Sequence, residues 1–176
     1  MSLDKISRYI AYLLRHNPAA GELSLDAHGW AEIDALLRAL RVRFACDRSM
    51  LDEIVRTDAK GRYAISEDGT RIRARQGHSI HVDAELLLAT PPAVLFHGTA
   101  ERNLPSIFEK GLLRGTRLYV HLSPDEATAT AVGKRHGTPA VLLIDAARMA
   151  NDGYVFYLSE NGVWLTEHVP KEYLLP

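Results

Sequence analysis

One cysteine, Cys46, stands in the 176-residue sequence. A single thiol makes no internal disulfide framework and supplies no multi-cysteine zinc site. The eight histidines show neither H-x-x-x-H nor H-E-x-x-H spacing, so no metal centre is expected. Long apolar runs are also missing. The longest stretches, such as "AVLLI" at 140–144, have the length of a strand, far from the roughly 20 apolar residues of a membrane span. The opening "MSLDKISRYI" has acid and polar residues where a secretory signal needs an apolar core. A cytoplasmic protein with no membrane partner is expected. Nothing in the pattern demands more than a monomer. An excess of either charge is lacking too: the formal net charge is −1. The first 90 residues hold 13 basic and 13 acidic side chains, and the rest hold 8 and 9. This balance excludes coating of long nucleic acids by bulk charge. Any polyanion site must be local.

What is present is periodic. Ile6, Tyr9, Ile10, Leu13 and Leu14 mark an amphipathic helix over 3–16. Asn17-Pro18 closes it, because a residue before proline is pushed out of helical geometry. "LSLDAHGW" predicts a short strand and turn. "AEIDALLRALR" predicts a second helix, and "DRSMLDEIVRTD" a third capped by Asp47. "RYAISEDGTRIRA" predicts a hairpin turning at Asp68-Gly69. The prolines of "ATPPA", 89–93, predict a boundary between a first lobe, 1–90, and a second, 91–176. The second lobe reads as strand-rich with about two short helices, one of them starting at Ser123 as N-cap with Pro124 and Glu126 behind it. Glu160-Asn161-Gly162 predicts a hairpin turn.

Several stretches could carry chemistry. In "RIRARQGHSIH", 71–81, Arg71, Arg73 and Arg75 alternate along a predicted strand. That puts three guanidinium groups on one face, roughly 6.5 Å apart. Either carboxylates near the turn, Glu67 or Asp68, pair them, or an anion sits among them. In "LLRHNP", Arg15 and His16 end a helix, where cations also simply suit the dipole. "FHGT", 96–99, ends a strand with a glycine that exposes backbone groups. Its plainer reading is a strand-to-helix turn. "VGKRHG", 132–137, gathers Lys134, Arg135 and His136 in a last helical turn.

Together, and in this order, "LLRHNP", "IRARQGHS", "FHGT", "VHLS", "VGKRHG" and "NGVWLT" resemble the RNA 2′-phosphotransferase family, the NAD-dependent tRNA 2′-phosphotransferases. The resemblance runs from about residue 3 to 174. It implies an α+β protein: a winged-helix RNA-binding lobe followed by an ADP-ribosyltransferase-like lobe with a mixed β-sheet that binds NAD. It implies removal of an internal 2′-phosphate from RNA by transfer to NAD⁺, as in tRNA splicing.

The same resemblance implies site residues. The catalytic set falls on Arg15, His16, Arg73 and Arg135. NAD would be held by His97, Gly98 and Thr99, by His121, Leu122 and Ser123, and at a third position by Val163, where many ADP-ribosyltransferases carry a glutamate. Arg75, Gln76, His78 and Ser79 would meet the RNA. Tyr119 stands where the family often has His, and Arg75 where it often has Asn; neither touches the catalytic set. Two rival readings stay open. One is an ADP-ribosyltransferase that caps terminal phosphates of RNA or DNA. The other is a non-enzymatic winged-helix nucleic-acid binder, against which the neutral first lobe argues.

Overall fold

The structure is a computed structural model that describes residues 2–83 and 85–175. The chain divides into two compact units, Met1–Glu85 and Leu86–Pro176, each with its own hydrophobic core. Among the described residues no helix is long and apolar enough to cross a membrane.

In the first unit, helix α1 (Leu3–Arg15) buries Ile6, Ile10, Leu13 and Leu14. Its end is where the prolyl residue requires it: Asn17 leaves helical geometry and its side chain accepts from Ala20 N, capping a short 3-10 turn. The expected strand in "LSLDAHGW" does not form. Asp26 instead closes a turn, its Oδ1 accepting from the amides of His28 and Trp30. This local bonding outcompetes a ladder. Strand β1 is only Ala31–Glu32. Helix α2 (Ile33–Arg41) buries Ile33, Leu36, Leu37 and Leu40. Helix α3 (Arg48–Thr57) begins at Asp47, whose carboxylate accepts from Met50 N at 2.9 Å.

Strands β2 (Tyr63–Ile65) and β3 (Arg71–Ala74) form the hairpin, with β3 in the middle of the antiparallel order β1-β3-β2. The turn is longer than two residues. Gly69 N donates to Ser66 O at 2.8 Å, and only Gly69, not Asp68, has positive φ. The reason is the Asp68 carboxylate, which accepts from Ser66 Oγ, Thr70 N and Thr70 Oγ1. Those bonds hold it low, at a pKa of about 2. Ile72 and Ala74 face the core with no exposure. Tyr63 ties β2 to α1 through Ser7, its hydroxyl donating to Ser7 O at 2.5 Å.

The second unit opens with β4 (Leu87–Leu88) and β5 (Val94–Ala100). Helix α4 (Leu104–Lys110) ends at Gly111 and leads to β6 (Leu112–Leu113) and β7 (Val120–Leu122). Helix α5 (Glu126–Gly133) precedes β8 (Pro139–Asp145). Its N-cap is Asp125, which accepts from Thr128 N at 2.7 Å, and not Ser123. Ser123 is spent elsewhere: its backbone exchanges two hydrogen bonds with Phe96. A third helix, α6 (Ala146–Asn151), was not expected; Asp145 caps it and Met149 buries it. Strands β9 (Tyr157–Leu158), β10 (Trp164–Thr166), β11 (His168–Val169) and β12 (Leu174–Leu175) follow.

These strands pair as β12-β8-β5, β4-β9-β10-β7 and β11-β6. Where the resemblance implied a mixed sheet, every strand pairing among the described residues is antiparallel. The turn at Glu160–Gly162 is present, closed by Ser159 N to Val163 O at 3.0 Å. Leu95, Leu122, Leu142, Ile144 and Met149 fill the core.

Candidate active site

In the first unit, β3 places its arginines by alternation. The register Ala31↔Ile72 puts Trp30 opposite Arg73. The Arg73 guanidinium carbon lies 4.6 Å from the Trp30 ring centroid, and that of Arg71 lies 5.6 Å away. A planar cation on an indole face is the favoured arrangement. Arg71 reaches Asp26 at 3.4 Å, not Glu67 or Asp68. Arg73 is buried and donates from Nη1 to Glu85 Oε2 at 2.6 Å. The arginine face thus includes carboxylates that sequence distance concealed. Arg75 donates from Nη1 to the carbonyls of Gly61 and Tyr63, closing the start of β2.

After β3 the chain turns back over the end of α1. Gly77 takes φ +88, and a Cβ there would lie 3.5 Å from the Arg15 guanidinium. Ser79 N donates to Arg15 O at 3.0 Å. Ser79 Oγ and His16 Nδ1 are 2.8 Å apart. That bond engages Nδ1 of the exposed His16. Ser79 therefore orients His16, a role its sequence position gave no sign of.

Between these groups lies His78, 2% exposed, whose Nε2 has no hydrogen-bond partner among the described residues. Burial first, then the charges of Arg15, His16 and Arg73, push its pKa down to about 4. His78 is therefore neutral at pH 7. The sign of the linkage follows: an unfolded histidine near 6.5 binds a proton that the folded one refuses until about pH 4. Stability falls as pH drops through that window. The loss between pH 7 and 5 should be on the order of 2 kcal/mol. Urea unfolding at the two pH values measures it. His78→Gln should shrink the difference, and an equal difference in both proteins would refute the assignment.

In the second unit, β5 and β7 form a fork. They are bridged at Phe96 and Ser123, with bonds of 2.9 and 2.7 Å. Two residues on in that register, Gly98 would face His121. Instead the His121 carbonyl meets His97 Nδ1 at 3.0 Å. Burial, foremost, with the charges of Arg117 and His136, pushes the His97 pKa down against that hydrogen bond. The neutral ring donates from Nδ1 and offers Nε2 as an acceptor. Strand alternation aims the amide and carbonyl of Gly98 into the fork. No backbone bond takes them on that side among the described residues. A ring acceptor thus lies beside the backbone of the buried Gly98.

The other expected residues are placed as follows. Thr99 is buried and accepts from Asn103 Nδ2. Leu122 is core. Val163 N donates to Ser159 Oγ at 3.0 Å, just after the Glu160–Gly162 turn. Arg135 is exposed beyond α5. Its charge, after burial, lowers the pKa of Arg117. Arg117 was missed in the sequence, though it lies four residues before His121. Trp30 and Glu85 were missed as well, because nothing near them in the chain marks them.

A family model described as RNA 2′-phosphotransferase, Tpt1 / KptA family, matches residues 2–168. A protein of Acaryochloris marina named "Probable RNA 2′-phosphotransferase" is 52% identical over 174 residues, covering 98% of this chain and 96% of its own length. One of the same name from Streptomyces coelicolor is 53% identical over 171 residues, covering 97% and 93%. Another from Nostoc punctiforme is 46% identical, covering 98% and 96%. With matches of this length across both units, the chain belongs to the RNA 2′-phosphotransferase, Tpt1 / KptA family.

Proposed function

We propose that this protein removes an internal 2′-phosphate from RNA by transferring it to NAD⁺. The reaction passes through a 2′-phospho-ADP-ribosylated RNA and yields 2′-OH RNA, nicotinamide and ADP-ribose 1″,2″-cyclic phosphate. The first unit then serves as a winged-helix RNA-binding lobe and the second as an ADP-ribosyltransferase-like lobe. The observation that carries the proposal is the convergence of Arg15, His16 and Arg73 on the buried, neutral His78. In a chain of net charge −1, two guanidinium groups and an imidazole gathered around one uncharged ring make a local anion site.

NAD⁺ supplies the glycosidic carbon that accepts the phosphate oxygen and the ribose hydroxyl that later attacks phosphorus. The protein's part is placement and charge. Arg15 and Arg73 carry guanidinium forks, which bind phosphate oxygens bidentately and stay charged at any working pH. Trp30 and Glu85 hold the Arg73 fork in one plane. Arg135 adds the fourth group of the catalytic set, with Arg117 beside it. The phosphate is an anionic nucleophile already, so no base is required, in keeping with Val163 where a glutamate would otherwise stand. The departing RNA 2′-oxygen does need a proton. His16 offers it from Nε2, since Ser79 occupies Nδ1. His97 and Gly98 orient the dinucleotide in the fork between β5 and β7.

The test is one incubation of 2′-phosphorylated RNA with the protein, with and without NAD⁺, and mass analysis of both products. The expected result is NAD⁺-dependent loss of the 2′-phosphate with a cyclic phosphate of ADP-ribose. A stable ADP-ribosyl cap on a terminal phosphate would favour the capping transferase instead. No NAD⁺ consumption would overturn the proposal.

A further inference from the structure

A second surface of the first unit is not accounted for by phosphate chemistry. A groove of about 680 Å³ opens beside α1 and α2, lined among others by Tyr9, Tyr12, Arg38, Val42 and Arg43. Tyr9 and Tyr12 are stacked, with ring centroids 6.2 Å apart and planes 22° apart. Phe44 backs Tyr9 edge-on at 5.6 Å, and the Arg43 guanidinium lies over the Tyr9 ring at 4.9 Å. Tyr12 is 41% exposed and Val42 84% exposed. Aromatic side chains of this size are normally covered. Here a rigid ring is left open to solvent, braced from behind and flanked by two exposed arginines. Glu22 is the single acid in the lining among the described residues.

The groove is coupled to the candidate site through α1. Tyr12 is one helical turn, roughly 6 Å along the axis, before His16. Its carbonyl accepts from both His16 N and Asn17 N at 3.0 Å. Its hydroxyl accepts from Asn17 Nδ2 at 2.8 Å. The ring is thereby fixed next to the nucleotide that His16 would serve.

We infer that this groove binds a nucleotide flanking the 2′-phosphorylated one, stacking its base on Tyr12 and meeting its backbone phosphate with Arg38 and Arg43. The occupant is single-stranded RNA. Stacked tyrosines beside arginines are what an unpaired base and its phosphate require, and stacking tolerates any sequence. An apolar peptide helix would want aliphatic walls and no paired cations. The inference rests on the 2′-phosphotransferase assignment above and adds a substrate preference: the protein senses RNA beyond the phosphorylated nucleotide.

The test compares kcat/KM for two single-stranded 2′-phosphorylated RNAs, one of about three nucleotides and one of about ten. The wild-type protein should favour the longer by about tenfold. Tyr12→Leu should bring that ratio close to one, chiefly through KM. Tyr12→Phe, which keeps the ring and loses the hydroxyl, should retain most of it. Arg38→Gln should lower the ratio in part and flatten its dependence on salt. A wild-type ratio of one would overturn the inference. So would a ratio that survives Tyr12→Leu, or rates that fall equally on both RNAs, which would mean that Tyr12 acts only through Asn17 and His16. Should the wild-type protein dephosphorylate neither RNA, the assignment fails but the groove is still tested. Binding of an unmodified ten-mer would then have to weaken about tenfold in Tyr12→Leu, and equal binding would remove the groove as an RNA site.

Discussion

Arg73→Ala should slow removal of the 2′-phosphate by about two to three orders of magnitude, the usual cost of deleting one preorganised charge donor. The side chain is buried at 5% exposure, yet it is not a core residue in disguise. Its plane is set by the Trp30 ring and its Nη1 by Glu85. Both restraints are in place before any ligand arrives, so binding a phosphate costs little reorganisation. Arg73→Lys should stay within about tenfold of the alanine variant, because a point charge on a flexible stem neither stacks nor forks. The fold should tolerate the loss. The stack on Trp30 contributes about 0.5–2 kcal/mol, and Glu85, 52% exposed, keeps its water when its partner leaves. Single-turnover kinetics and a thermal melt on the same samples separate the two effects. An alanine variant that is folded and within a few-fold of wild type would remove Arg73 from the catalytic set.

Gly98→Ala should do the reverse, damaging the fold more than any single catalytic change. A Cβ on Gly98 would lie 1.7 Å from the Ala129 carbonyl oxygen, 2.6 Å from its carbon and 2.9 Å from Gly133 N. All three are backbone atoms of α5, so no side-chain rotamer relieves the clash. Either α5 lifts from β5 or β5 leaves its ladder with β8. Ordinary overpacking of a core costs about 1–3 kcal/mol, and a clash with helix backbone should reach the top of that range or beyond. The melting temperature should fall by on the order of 10 °C. Gly115→Ala is the control. Its φ of +63 carries a strain penalty, but nothing lies within 4 Å. It should cost only about 1 kcal/mol. Equal melting of the two variants would show that the glycine at 98 is not required by packing. This result also reassigns part of the sequence signal. "FHGT" suggested a glycine kept for a ligand, and the helix on its other side is already reason enough for it.

Much of the fold was readable because its causes are local. The α1 face, the Asp47 cap and the Glu160–Gly162 turn each depend on residues within a few positions of one another. Local signals also misled where two local options competed. Ser123 and Asp125 both suit a helix start, and the bridge to Phe96, set by a strand 27 residues earlier, took Ser123 away. "LSLDAHGW" alternates like a strand, but Asp26 found two amides nearby before any partner strand was available.

For the candidate site the division is sharper. The order and spacing of "LLRHNP", "IRARQGHS", "FHGT" and "VGKRHG" determined the family, and with it which residue types would matter. Even the identity of the guanidinium groups was plain, because their charge is a property of the residue and not of its surroundings. What only the folded chain decided is how those groups are held: Ser79 on His16 Nδ1, Trp30 beneath Arg73, Glu85 against its Nη1, His78 kept neutral in the midst of cations. The first three are pairings across at least 12 residues of sequence, and His78 meets Arg15 and His16 across more than 60. Spacing along a chain fixes which neighbours a side chain has at one helical turn or one strand step. Distances, exposure and protonation depend on neighbours brought from elsewhere, and those exist only once the chain has closed on itself.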